Sequence, residues 1–484
     1  MFLTKRQKEI YQYLKEHIRD QGYAPSIAEI GKQFKLSSPE TVHKHLVHLE
    51  SKGLIRKYQN LSRAIEIVNE ESKDISPQEY KGQGRIVAGK STEVLKKQDI
   101  NLREKKKWLK EFPVKMNRVF FDHAKVSPLP RRVCDAINAF TNDACKNGTR
   151  NYKKWMEEVE RVRGKFAWLI NGDVDEVAFI KNTSEGISIV ANGLDWKTGD
   201  NVVIPDIEFP ANVYPWWNLR RFGVETRMVK SKDGRVVFDD LIKQIDKRTR
   251  IVSVSSVECN SGFRNDLNRI GAFCRENSVL FCVDAIQSLG VLEMDVKRDN
   301  IDFLSADGHK WMLSVEGLGG FYISKNVLEK IYPVTVGWDS VVDAWDFMNY
   351  DFTFRPDAKR FEEGSFNTMS IFALGAALDL LEGVGIDSIQ SGVLLQGDYL
   401  MEGLQKRGIK ILNSRLQRER SGIISYEMES DPKIFSSYML ENNISLTVRN
   451  GLVRLSPHFY NGYDEADRFF DLIDSFSKRK TTVK

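Results

Sequence analysis

The feature that most constrains this chain is the rhythm of its second half. Short apolar, β-branched runs, Val202-Val-Ile204, Ile251-Val-Ser-Val254, Val279-Leu-Phe-Cys-Val283 and Ile301-Asp-Phe-Leu304, alternate with stretches of helical periodicity from about residue 113 onward. Such runs separated by helices predict an α/β fold with a mostly parallel sheet covered by helices on both faces. In such sheets functional groups gather at the carboxyl ends of strands. Asp284 directly follows the run 279–283, Gln287 comes one turn later, and Lys310 lies 26 residues on (310 − 284), after one further strand.

That placement suits one chemistry. A carboxylate keeps a pyridine nitrogen protonated so that the ring accepts electrons, and a lysine joins the ring's aldehyde as an imine. Asp284 and Lys310 therefore point to pyridoxal 5'-phosphate (PLP) as cofactor.

One core cannot account for the whole chain. Single cores rarely grow beyond ~250–300 residues, and 484 residues with 41% hydrophobic content require several domains. The five cysteines (Cys134, Cys145, Cys259, Cys274, Cys282) form no C-x-x-C pair and no spaced cluster with histidine, which argues against a disulfide framework and against structural zinc; no metal is expected. No apolar run approaches the ~20 residues that cross a bilayer, and the start, Met1-Phe-Leu-Thr-Lys-Arg6, is charged and amphipathic. A soluble, cytoplasmic protein without a membrane partner is expected.

The net charge of +5 is concentrated at one end: residues 1–70 hold 12 Lys/Arg against 8 Asp/Glu, a surplus of 4, and 4 of the 7 histidines. This favours a polyanion partner there. Ile10, Tyr13, Leu14 and Ile18 recur with helical spacing after a Thr4 cap, and Gly22-Tyr-Ala-Pro25 ends that helix. Ser26 caps a second helix with Ile27, Ile30 and Phe34, and Ser37-Ser-Pro39 opens a third with Val42, Leu46 and Leu49. Leu54-Ile-Arg-Lys-Tyr58 and Ala64-Ile-Glu-Ile-Val68 then alternate as a β-hairpin. Three helices and a hairpin make a winged helix-turn-helix.

The segments Thr-Lys-Arg-Gln7, Gly22-Tyr-Ala-Pro-Ser26, Ser37-Ser-Pro-Glu-Thr-Val-His-Lys-His-Leu46, Lys52-Gly-Leu-Ile-Arg56 and Arg63-Ala-Ile-Glu-Ile67 resemble the DNA-binding domain of LexA-type repressors. By that resemblance Ser38, Glu40, Thr41, His43 and Lys44 face base edges of double-stranded DNA. The residues agree, because they precede the core positions Leu46 and Leu49 and leave a polar half-helix free for a major groove. A winged helix used only for protein contacts is the competing reading. Residues 71–112 have the composition of a charged linker. Within it Gly84-Arg-Ile-Val-Ala-Gly-Lys90 resembles the LexA self-cleavage segment, with Ala88-Gly89 as a relic of the cut bond, or is an accidental Ala-Gly in a tether. No serine and lysine dyad can be placed, so cleavage is not expected.

From roughly Phe120 to Asp474 the chain resembles class V aminotransferases, the PLP-dependent group that includes cysteine desulfurases. The motifs are Asn182-Thr-Ser-Glu-Gly186, Glu208-Phe-Pro-Ala-Asn212, Val283-Asp-Ala-Ile-Gln-Ser288, Asp307-Gly-His-Lys-Trp311 and Arg360-Phe-Glu-Glu-Gly-Ser-Phe-Asn-Thr368. The resemblance implies that Thr183 and Ser184 bind the PLP phosphate, that Phe209 stacks on the ring, and that Asp284 pairs with the ring nitrogen and Gln287 with the ring hydroxyl. It also places His309 at the phosphate or beside Lys310, Lys310 in the imine, and Ser365 at a neighbouring subunit's phosphate, hence a homodimer. Arg449 would grip the carboxylate of an amino-acid substrate, or Arg454 would, the other then serving as a structural ion pair. Helix N-capping by Thr183 and Ser184 and a plain core position for Phe209 remain open.

The departures bear on chemistry. Desulfurases carry a catalytic cysteine in the C-terminal part, and this chain has none after Cys282. They place histidine where Phe209 stands, and a phosphate-binding serine is common at the position of Asp307, where an anion must point away or weaken cofactor binding. The expected domains are 1–70, the linker 71–112, a PLP-binding domain 113–385 and a smaller α+β domain 386–484. The leading functional reading is a PLP-dependent aminotransferase, lyase or epimerase, not a desulfurase, fused to a DNA-binding domain. The alternatives are a transcription regulator that uses the PLP domain as a sensor and a LexA-type SOS repressor.

Overall fold

The computed structural model describes residues 4–21, 24–25, 27–34, 36, 39–52, 54–57, 65–67, 107–414 and 416–481. They fall into an N-terminal unit and a larger unit. Ser38 and Ala88-Gly89 lie outside the described residues, as does most of the expected linker.

The N-terminal unit has three helices, α1 (Lys5–Gln21), α2 (Ile27–Phe34) and α3 (Pro39–Ser51), then strands β1 (Ile55–Lys57) and β2 (Ile65–Ile67) paired antiparallel with Ile55 opposite Ile67. Thr4 caps α1 reciprocally: its Oγ1 accepts from the Gln7 N–H at 3.3 Å, and Gln7 Oε1 accepts from the Thr4 N–H at 3.1 Å. Ile10, Leu14, Ile30, Val42, Leu46, Leu49 and Ile55 form the core, with Tyr13 and Phe34 packed against it. The helical spacing and the hairpin read from the sequence are thus present.

The larger unit is built on seven strands: β4 (Val177–Ile180), β5 (Asn201–Pro205), β6 (Glu225–Val229), β7 (Thr249–Ser255), β8 (Leu280–Asp284), β9 (Phe303–Asp307) and β10 (Gly319–Ile323). Their spatial order is β4-β10-β9-β8-β7-β5-β6. All neighbours are parallel except β10, which runs antiparallel between β9 and β4. The apolar runs are explained by burial on both faces. Val203, Val252, Val254, Phe281, Val283 and Leu304 enter one core with helices Tyr152–Leu169, Leu267–Glu276 and Thr368–Val384, whereas Val202, Ile204, Ile251, Leu280, Cys282 and Phe303 enter another with helix Thr183–Gly193. The fourth run is displaced: the strand starts at Phe303 and continues through Ser305 and Asp307, whose polar side chains hide its end in the sequence.

A smaller sheet closes the C-terminal part. Strands β11 (Ile424–Tyr426), β13 (Thr447–Arg449) and β14 (Leu452–Leu455) pair antiparallel in the order β11-β14-β13, backed by helices Pro432–Glu441 and Tyr463–Thr481. Here β12 (Ile444–Ser445) pairs parallel with β3 (Val119–Phe120), so residues 119–121 pack with the C-terminal core although the sequence reading groups them with the large sheet. Phe112, read as linker, is fully buried and stacks on Tyr460 with ring centres 3.7 Å apart.

Gly290 shows how tightly the segment after β9 is held. Its φ is +100°, and a Cβ there would lie 2.4 Å from the Trp311 carbonyl oxygen. Gly290→Ala should therefore cost about 2–3 kcal/mol, read as a lowered melting temperature; an unchanged melting temperature would show that the segment yields freely.

Candidate active site at the strand ends

Every parallel strand but the edge strand β6 delivers a polar group from its carboxyl end. After β4 the chain turns into helix Thr183–Gly193, capped by Asn182, whose side chain accepts from the Glu185 N–H at 3.0 Å. Capping thus falls to Asn182, which leaves Thr183 and Ser184 as the first helical residues, with N–H groups in the position that suits an anion. Ser184 is exposed; Thr183 is buried and its Oγ1 accepts from the Asp307 N–H at 3.1 Å. Gly186 lets this helix settle on β9, since a Cβ would lie 2.8 Å from Ser305 Cβ.

After β5 come Glu208 and Phe209. Glu208 accepts from the Ser255 N–H at 2.6 Å and from Ser255 Oγ at 2.5 Å. Burial, with the Asp284 charge adding to it, pushes its carboxyl up to about 7. Phe209 is 38% exposed, which removes the plain core reading. Lys310 Nζ and Arg449 Cζ each stand 5.6 Å from the centre of its ring, so the ring, the lysine and the arginine share one space.

Asp284 ends β8, aligned with Ser255 on β7 and Ser305 on β9. Its Oδ1 accepts from the Ile286 N–H at 3.0 Å, while Oδ2 is buried with no partner. Burial pushes its carboxyl up to about 6. Lys310, in the turn after β9, is buried and makes no hydrogen bond to the described residues through Nζ. Burial pushes its ammonium down to about 8, Asp284 opposing the shift and Arg454 and Arg449 adding to it. A buried carboxylate oxygen with nothing to accept, beside an amine partly freed of its proton, is what the protonated nitrogen and the aldehyde of PLP require. The residues fit the group.

The rest of the site is braced. Ser127 donates from Oγ to the Lys310 carbonyl and from N–H to the His309 carbonyl, at 2.5 and 2.9 Å. Gln287 donates from Nε2 to the Ala124 carbonyl at 3.1 Å and accepts from Trp311 Nε1 at 3.0 Å; much of its amide therefore holds the wall behind Lys310, with one N–H left for a ring hydroxyl. His309 Nδ1 stands 3.1 Å from Asp307 Oδ1, so the Asp307 carboxylate turns toward His309. Ser365 is exposed and makes no hydrogen bond to these groups. In the N-terminal unit Lys44 is exposed and Thr41 half-buried on α3; the side chains of Glu40 and His43 lie outside what is described.

Sequence reasoning missed three participants, Asp122, Cys259 and Ser127, and left the place of a fourth open. Arg454, weighed only as a substitute for Arg449, is fully buried and donates from Nη1 to the Cys259 carbonyl at 2.7 Å. Asp122 stands 4.0 Å from Arg454 Nη2. Cys259 is buried within electrostatic reach of Lys310, Arg449 and Arg454, and burial pushes its thiol up. Ser127 completes the set. Among the described residues no group of three or more His, Cys, Asp or Glu is placed to hold a metal ion, and no single helix is long and apolar enough to cross a membrane.

Comparison with known proteins matches residues 119–463 to the family "Aminotransferase class-V" and residues 1–64 to the "LexA DNA binding domain". A "Probable cysteine desulfurase" of Methanothermobacter thermautotrophicus is 30% identical over 394 residues, covering 76% of this chain and 97% of the relative. Among solved structures, the apo cysteine desulfurase of Thermococcus onnurineus is 24% identical, with a TM-score of 0.71 over 77% of this chain and 98% of that one. A variant of C-DES with glycine covalently linked to its PLP cofactor, also 24% identical, has a TM-score of 0.71 over 75% and 97%.

Proposed function

The chain belongs to the class V aminotransferase family and carries a LexA DNA-binding domain at its N-terminus, and from that premise we propose that it is a PLP-dependent enzyme acting on an amino acid, without cysteine desulfurase activity, joined to a sequence-specific DNA-binding module. The observation that carries the reading is the buried Asp284 and Lys310 pair, with an unpartnered Asp284 Oδ2. PLP bound there supplies an electrophilic carbon and an electron-accepting ring. The chain's own residues do the rest. Thr183, Ser184 and the helix N-terminus hold the phosphate, Phe209 covers one side of the space, and an arginine orients the substrate carboxylate. Lys310, with its amine pushed down to about 8, takes and returns the Cα proton at Nζ near neutral pH.

Two features support the exclusion of desulfuration. No cysteine follows Cys282, and Cys259, the thiol that does reach the site, is held in its protonated form by burial when a thiolate is the competent nucleophile. The PLP-loaded protein, incubated with a panel of amino acids, should give keto acid, elimination product or Cα deuterium exchange, and no sulfide from cysteine. Sulfide with persulfide on the protein would sink the exclusion. Spectral change without product or exchange for every amino acid would leave a sensor, a reading that the attached DNA-binding domain favours.

The same proposal includes a homodimer. Trp338, Trp345, Phe347, Tyr350 and Phe352 are exposed on one stretch, with Trp338 and Trp345 ring centres 5.2 Å apart. Trp338 Nε1 lies 3.0 Å from where a Gly364 Cβ would be, beside Ser365. An exposed aromatic surface of this kind fits a second copy, which would receive Ser365 at its phosphate. Trp345→Glu should convert the dimer to a monomer in sedimentation and weaken cofactor retention; an unaltered dimer would place the interface elsewhere. The DNA partner is tested by Lys44→Ala, which should cost about 1–3 kcal/mol of discrimination between operator and scrambled DNA if it reads a base edge. Equal weakening on both would make Lys44 a phosphate contact. Two exposed free thiols, Cys134 and Cys145, suit a reducing cytoplasm, which fractionation of cells making the tagged chain would check.

A further inference from the structure

Two guanidiniums act on Lys310, and a simple amino acid has one carboxylate. Arg449, at the end of β13, is half-buried against Phe209 and makes no ion pair or hydrogen bond to the described residues. Arg454, on β14 opposite Thr447, has a side chain 1% exposed. Its Nη1 is satisfied by the Cys259 carbonyl, but Nε and Nη2 have no acceptor. Among the described residues the carboxylate that faces Arg454 is Asp122, whose Oδ1 is 4.0 Å from Nη2, too far for a hydrogen bond, and without a partner, while its Oδ2 accepts from the Thr447 hydroxyl at 2.7 Å. Both arginines depress the Lys310 ammonium and Arg449 depresses Arg454, so their fields overlap.

Asp122 and one substrate carboxylate would offset the charge of the two guanidiniums, but one carboxylate cannot fill the donors of both. Asp284 and Lys310 would be taken up by the cofactor, whose phosphate Thr183, Ser184 and His309 would hold. Asp122 remains against Arg449 and Arg454. A single carboxylate on Arg454 fills its buried donors and leaves Arg449, half-buried, with no acceptor among the described residues.

Resting on the PLP-enzyme reading above, we infer that the substrate is an amino acid with a second acid group in its side chain, its α-carboxylate on the buried Arg454 and its side-chain acid on Arg449. The site is therefore selective for a dianionic amino acid over its neutral isostere.

The test uses the full-length, PLP-loaded protein titrated with L-aspartate and L-glutamate against L-asparagine and L-glutamine, followed by visible absorbance. A second readout is the melting temperature of the cofactor-free chain with succinate or glutarate against butyrate. The acids should bind about 10- to 100-fold more tightly than the amides, as expected for a charged hydrogen-bonded contact, and the diacids should raise the melting temperature more than butyrate. Arg449→Gln should collapse the acid-to-amide ratio toward one, and Arg449→Lys should keep part of it. Should Arg454→Gln fail to fold, the Arg449 variants and the diacid shift of the unaltered chain still decide the matter. Equal binding of acids and amides, or equal weakening of both by Arg449→Gln, would overturn the inference and leave Arg454 a structural ion pair. If no amino acid of either kind changes the absorbance of the loaded protein, the underlying enzyme reading falls with it, a distinct result.

Discussion

Replacing Lys310 with alanine should abolish the visible absorbance of the lysine-bound cofactor and lower turnover by about 10³-fold or more, because both the covalent anchor and the proton carrier are lost. The fold should survive. Lys310 is buried and makes no hydrogen bond to the described residues through Nζ, so its removal deletes a desolvated charge and, of polar contacts, only the one to the Phe209 ring. Its folded-state pKa, about 8, lies below the ordinary lysine value of 10.5, so the group's contribution to stability is present above pH 10.5 and is lost as pH falls through 8. At pH 7 the parent carries this penalty in full, and the cofactor-free Lys310→Ala protein should melt at the same temperature or higher, by up to about 3 kcal/mol before the loss of side-chain packing. The difference should shrink as pH is raised from 8 toward 10. Retained absorbance in the variant would remove Lys310 from its assigned place; a collapse of the fold would make it structural.

What the sequence disclosed, and what it withheld, follows from how each feature is built. The sheet was legible because burial on both faces makes whole strands apolar, as in Phe281 and Val283 on one side and Leu280 and Cys282 on the other. Asp284 and Lys310 were legible because both sit at ends of consecutive strands. The extent of β9 was not, since Ser305 and Asp307 interrupt the apolar pattern where the strand enters the site. Arg454, Cys259 and Asp122 could not be assembled from spacing. They arrive from β14, from the loop after β7 and from the segment after β3, and only tertiary packing puts the Arg454 guanidinium on the Cys259 carbonyl. The same holds for Ser127, whose hydrogen bond to the Lys310 carbonyl spans 183 positions.

Asp284→Asn separates the cost of the site from its purpose. In the cofactor-free chain the carboxyl, pushed up to about 6 from an ordinary value of 3.8, contributes stability that is present below pH 3.8 and lost as pH rises through 6. Above pH 6 the parent holds a buried carboxylate whose Oδ2 has no partner, so the neutral amide should stabilise the cofactor-free protein at pH 7 by up to about 3 kcal/mol. That advantage should close as pH falls from 6 toward 4. Loading with PLP should reverse the ranking. The carboxylate then gains the protonated ring nitrogen as partner, and the amide cannot hold that proton, so the variant should lose about 10²- to 10³-fold in turnover and retain the cofactor less well on dialysis. The crossover is the diagnostic: Asp284 is expensive in the empty site and necessary in the filled one. An Asp284→Asn variant that is less stable than the parent when empty, or as active when loaded, would assign Asp284 to the architecture of β8 and not to the chemistry at its end.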